Sequence, residues 1–120
     1  SVDSKKLAKK IADEQIKYNK NIKIFIQVNL GNENQKSGVK KNELDSLFLY
    51  CEEVGLNVIG LMCIPPVNLD PTPFFKELKN LNDSLNLSDL SMGMSSDYKE
   101  AIENFSTYLR IGSEIFGKRD

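Results

Sequence analysis

The sequence contains no histidine and only two cysteines in 120 residues. Without histidine there is no Ser-His-Asp or Cys-His pair to activate a nucleophile, and the commonest metal ligand is missing as well. No CxxC, HExxH or Walker A pattern occurs. Neither sign of charge is in excess: 16 Lys+Arg against 17 Asp+Glu leave a net charge of -1. The basic surplus that usually marks nucleic-acid or membrane-surface binding is therefore lacking. No apolar run approaches the roughly 18 residues of a membrane span. The opening residues, SVDSKKLAKK, lack the apolar core of a secretory signal. These absences predict a cytoplasmic chain with no nucleic-acid and no membrane partner. In a reducing compartment Cys51, on the apolar face of a helix, and Cys63, after a strand, read as free thiols.

The residues that are present, 40% apolar and 28% charged, suffice for one domain. Ser4 can cap a helix running to about Tyr18, with Leu7, Ala8, Ile11, Ala12 and Ile16 on one face. Residues 22–29, IKIFIQVN, form a β-branched, nearly apolar strand. A second helix spans 42–54, with Leu44, Leu47, Phe48 and Cys51 inward and Gly55 at its C-terminal end. Strand 57–62 follows. Thr72-Pro73 reads as a helix cap with proline at the first helical position, and the helix buries Phe74, Phe75, Leu78, Leu81 and Leu85. Strand 88–92, a short helix 97–105 with Ala101, Ile102 and Phe105 inward, and strand 107–111 complete the pattern.

Apolar strands separated by amphipathic helices predict an α/β fold of parallel βα units, the sheet buried on both faces. An open doubly wound sheet and part of a (β/α)8 barrel both fit. A barrel uses eight units and typically about 250 residues, so this chain has half of one. Ser1-Val2-Asp3 reads as the tail of a strand entering a helix. Four strands cut from a barrel leave two open edges, which predicts a homodimer or strand exchange through them.

Parallel sheets bind ligands at the carboxyl ends of their strands, and barrels often hold phosphate after the last two. Here those strands run into SMGMSSD (91–97) and RIGSEIFG (110–117). Gly93 and Gly112 permit close backbone approach, Ser95 offers a hydroxyl and an N–H, and Gly112 and Ser113 offer N–H groups at a turn, which attract anions. The same glycines and serines also serve as ordinary turn and cap residues. Arg110 sets a permanent cation inside an apolar strand. Alternation puts Tyr108 and Arg110 on one side and Thr107, Leu109 and Ile111 on the other. Inside the fold, Arg110 needs an anionic partner, either a ligand or an acidic side chain. The polar loop 29–38, NLGNENQKSG, contributes Lys36, which either reaches a ligand or is solvated. Met62, in GLMCIPP, is either pocket wall or core.

The stretches SVDS, IQVNLGNENQKSGV, GLMCIPP, LSMGMSSDYKEAI and YLRIGSEIFGKRD, in this order, resemble the pyridoxal phosphate homeostasis protein family. These are single-domain barrels similar to the N-terminal domain of alanine racemase. The resemblance implies that residues 1–120 are one partial cofactor-binding domain, the second half of the family barrel from the end of strand four through strand eight. It implies pyridoxal 5'-phosphate (PLP) as cofactor, with the phosphate held by Ser95 and the Gly112-Ser113 turn. Arg110 resembles the family arginine facing the pyridine nitrogen. Lys36 is similar in position to the alanine racemase arginine near the ring hydroxyl. Met62 and Met94 would line the pocket.

The family's Schiff-base lysine lies on its first strand, and no lysine here matches it; Lys23 is on a different strand. The expected function is to bind and buffer PLP, or a phosphate or sulfate anion, in vitamin B6 and amino-acid homeostasis, without efficient catalysis. The alternatives are a racemase-like enzyme and the phosphate-binding half of another barrel enzyme.

Overall fold

The computed structural model describes residues 1–31, 38–66, 69–94 and 108–110, with 93–94 and 108–110 as backbone alone. Three helices, α1 (Lys5–Tyr18), α2 (Leu44–Glu53) and α3 (Thr72–Ser84), alternate with strands β1 (Lys23–Asn29), β2 (Val39–Lys40), β3 (Asn57–Met62), β4 (Asp89–Met94) and β5 (Tyr108–Arg110). All strand pairs are parallel, in the order β2-β1-β3-β4-β5. The expected helix 97–105 lies outside the described residues, as do Thr107 and Ile111.

Local chemistry explains the helix ends. Ser4 is extended and its Oγ accepts the Leu7 N–H at 3.2 Å, the bond of an N-cap. At α3 the start lies one residue earlier than the sequence suggests. Thr72 is itself helical and Pro73 second. The Asp70 side chain takes the capping bond instead, accepting Thr72 N–H at 3.1 Å. All three helices finish alike, on a left-handed residue: Asn19 (φ 51°), Gly55 (φ 86°) and Asn86 (φ 57°). The next N–H then reaches a carbonyl five residues back: Lys20 to Gln15, Leu56 to Cys51 and Leu87 to Asn82, at 2.9, 2.9 and 3.0 Å. This is the Schellman turn.

The core lies between the helices and one face of the sheet. Ala8 and Ala12 of α1, Leu44, Leu47 and Cys51 of α2, and Phe75 and Leu78 of α3 pack with Ile24, Ile26, Val28, Leu61, Leu90 and Met92. Ile16, expected on the buried face of α1, is 78% exposed, and its neighbour Gln15 is buried. The inward row runs 8, 12, 15, and Gln15 earns its place by accepting Ile22 N–H at 2.8 Å as the chain turns toward β1.

Val2 is fully buried and bridges in parallel to Ile26, as a strand tail leading into α1 should. At β3, the register against β1 shifts between Ile24 and Phe25, so that Phe25 lies opposite Gly60. Gly60 is required there: a Cβ would lie 1.8 Å from the Asp89 carbonyl oxygen. Asn82, 2% exposed, ties the same junction. Its Oδ1 accepts Leu61 N–H, and its Nδ2 donates to the carbonyls of Leu87 and Asp89, each at 3.0 Å.

Candidate functional site at the strand ends

Because every strand runs the same way, all the carboxyl ends meet along one edge. A row of register partners crosses the sheet near that edge: Gln27 with Met62, Met62 with Ser91, and Ser91 with Tyr108. One step beyond, Met94 pairs with Arg110. Between these last two pairings β4 advances three residues and β5 two, an irregularity at Met92-Gly93 that re-aims the end of β4. The two strands expected to hold the phosphate therefore end side by side, with Arg110 as the last residue of β5.

The sheet face turned away from the helices differs from the core face. Met62 is buried, yet it stands outside the apolar cluster that its neighbours Leu61 and Cys63 join. Alternation puts it on the opposite face, together with its register partners Gln27 and Ser91. An amide, a thioether and a hydroxyl thus share one side of adjacent strands just short of the ligand edge. Gln27 escaped the sequence reading, although it interrupts the apolar run of β1 much as Arg110 interrupts its own strand.

The remaining expected site residues, Lys36, Ser95, Gly112 and Ser113, lie outside the described residues, and Met94 and Arg110 are placed by backbone. Gly38, where the described chain resumes, is tied to the residues before α1. Asp3 Oδ2 accepts the Gly38 N–H at 3.0 Å, a contact that nothing local in the sequence signals. Both cysteines are free and buried. Burial pushes the Cys51 thiol from its ordinary 9.0 up to about 11, so it stays protonated and unreactive at neutral pH. Among the described residues no group of Cys, Asp and Glu is arranged to hold a metal, and no helix is long and apolar enough to cross a membrane.

The profile of the family described as "Alanine racemase, N-terminal domain" matches residues 1–120. The chain belongs to this family. A pyridoxal phosphate homeostasis protein of Aquifex aeolicus is 41% identical over 129 residues, covering 99% of this chain and 57% of its own length. The human protein of that name is 35% identical over 136 residues, all of this chain and 50% of its own. PipY of Synechococcus elongatus, in its structure with PLP bound, superposes on 98% of this chain and 59% of PipY, with a TM-score of 0.87 at 27% identity. This member of the family thus spans a little over half the length of the curated relatives it matches.

Proposed function

We propose that this chain binds pyridoxal 5'-phosphate at the carboxyl edge of its sheet and acts as a cofactor carrier in intracellular vitamin B6 and amino-acid homeostasis rather than as a catalyst. The observation that carries this reading is the pairing of Met94 with Arg110, which brings the ends of β4 and β5 together on the ligand edge. The names of the relatives and the PLP-bound PipY structure support the choice of cofactor.

The residues suit such a ligand. Gln27, Met62 and Ser91 offer a mixed apolar and polar surface to a flat, polar-substituted ring. Ser95, Gly112 and Ser113 supply hydroxyl and backbone N–H groups for a phosphate, or for a free phosphate or sulfate anion. Arg110, always protonated, would donate to the ring nitrogen, leaving that nitrogen unprotonated and the ring a weak electron sink. Met62 and Met94 would line the pocket, and Lys36 would serve the ring hydroxyl. When bound, the cofactor would contribute an aldehyde and a ring able to delocalise charge. None of these residues is the Schiff-base lysine of the family, so they would supply the phosphate and ring contacts alone.

On this reading residues 1–120 are the second half of a (β/α)8 barrel, from the end of strand four to strand eight, with Val2 as the tail of strand four. The chain works in the cytoplasm, and its open sheet edges pair with a second copy or exchange elements. The test is a PLP titration followed by borohydride reduction and mass mapping, with Arg110→Ala as control. Saturable binding that Arg110→Ala abolishes is the expected result. Diffuse lysine labelling, equal in both proteins, would refute the reading.

A further inference from the structure

We propose that the outer face of α1 and α2 is a docking surface for a second copy of this chain, the basic α1 of each copy lying on the acidic α2 of the other. This goes beyond the PLP reading, and it concerns the helix layer rather than the sheet edges.

Charge is segregated among the helices, although the chain as a whole is nearly neutral. α1 carries five lysines against Asp13 and Glu14. α2 carries Asp45, Glu52 and Glu53 and no base. α3 is balanced, Lys76 and Lys79 against Glu77 and Asp83. Helix rotation, about 100° per residue, sets where these charges point. In α1 the buried row is Ala8, Ala12 and Gln15, and Lys6, Lys10 and Lys17 fall opposite it. In α2 the buried row is Leu44, Leu47 and Cys51, and Asp45, Leu49 and Glu53 fall opposite it. All three lysines, both acids and Leu49 are exposed.

The two helices pack side by side, with the Lys5 ammonium of α1 5.8 Å from the centre of the Tyr50 ring of α2. Yet among the described residues no ion pair joins them; the ion pair Lys9–Asp13 stays within α1. A basic row and an acidic row thus lie next to each other on one surface, both turned outward. The large apolar side chains exposed on the described helices are here as well: Ile16 and Tyr18 on α1, and Leu49, 63% exposed, on α2.

A two-fold axis along the groove between α1 and α2 makes such a surface complementary to itself. It brings the lysine row of each copy onto the acidic row of the other, with Ile16 and Leu49 supplying apolar contact. A two-fold across the helices would set lysine on lysine, so the charges select the first arrangement. The face is two helices wide and about 21 Å long, at the small end of stable interfaces. Exposed ion pairs contribute little each, so the dimer is expected to be weak and salt-sensitive.

Sedimentation velocity over a concentration series tests this. The wild-type chain is expected to dimerise, less so at high salt. Lys10→Glu/Lys17→Glu and Asp45→Lys/Glu53→Lys should each weaken the dimer about a hundredfold, because every change counts twice across a two-fold axis. An equimolar mixture of the two variants should associate again as a heterodimer. The outward rows are then mostly acidic on both helices of one and basic on both helices of the other. Leu49→Ala should weaken the wild-type dimer about tenfold, and it decides the matter if circular dichroism shows a charge variant unfolded. A monomeric wild-type chain would overturn the proposal. So would a dimer that charge reversal or Leu49→Ala leaves intact, which would put the contact elsewhere, or folded variants whose mixture stays monomeric. Failure of the PLP titration would leave this contact standing.

Discussion

Cys51 and Asn82 occupy the same place in the same turn. Each is an inward residue in the last turn of its helix, and each backbone carbonyl accepts an N–H from five residues on as the chain heads into the next strand. Their side chains do opposite things. Asn82 spends its amide on three strand-junction groups, Leu61 N–H and the carbonyls of Leu87 and Asp89. Cys51 is fully buried among apolar neighbours. Gln15, at the equivalent point of α1, resembles Asn82, with its Oε1 on Ile22 N–H. The turn alone redirects the backbone, so the inward side chain is free to serve either need. At α1 and α3 an amide reaches backbone groups near the start of the next strand. At α2 a small apolar group fills the place.

The largest effect that bears on this contrast belongs to Gly60, at the junction Asn82 serves. Gly60→Ala drives a methyl into the Asp89 carbonyl, 1.8 Å away, and should cost on the order of 4 kcal/mol or abolish folding. Urea unfolding monitored by circular dichroism would measure it, and a near-native midpoint would mean that β3 and β4 can separate at little cost. Asn82→Ala comes next. It removes the amide that bonds the buried Leu61 N–H and the part-buried carbonyls of Leu87 and Asp89, and should cost about 3 kcal/mol in the same assay. Cys51→Ala should cost only about 1 kcal/mol, the loss of a small buried group. Equal losses at the two positions would erase the distinction between them.

The smallest effect is a pH dependence. The Cys51 thiol is raised to about 11 by burial, against 9.0 when exposed. The unfolded chain therefore loses this proton first. The Cys51 contribution to stability is fully present below pH 9 and fades as pH rises toward 11. Melting temperatures of the wild type and Cys51→Ala should converge over that window. A constant difference would mean that the thiol has the same pKa in the folded and unfolded states.

Legibility from sequence followed the range of the interactions involved. The strands read as apolar runs, and the helices as 3/4-spaced apolar rows with Ser4 and Gly55 at two of the ends, because these signals depend on neighbours a turn or less away. Two helix ends were harder to read, since Asn19 and Asn86 carry the left-handed turn that glycine would have advertised. The two-residue β2 carries too little pattern to be seen. Ile16 was misread as core because periodicity counts apolar residues, whereas Gln15 holds the inward position through a bond to a residue seven further on. At the candidate site, Arg110 stood out as a cation in an apolar strand, and the sheet order then put the end of its strand beside Met94. Gln27 offered a similar signal, and Asp3 offered none.

By itself the sequence determined the alternation of helices and strands, the caps that begin α1 and end α2, and the apolar faces that meet in the core. Each of these is set by spacing and by residues within four or five positions. Only the tertiary structure decided which polar residues work inside the protein. Asn82 reaches Leu61 across 21 residues, and Asp3 reaches Gly38 across 35. Such partners share no local pattern. They become neighbours when the parallel strands bring distant backbone groups side by side, and a buried N–H or carbonyl must then find a partner from whatever chain lies within reach.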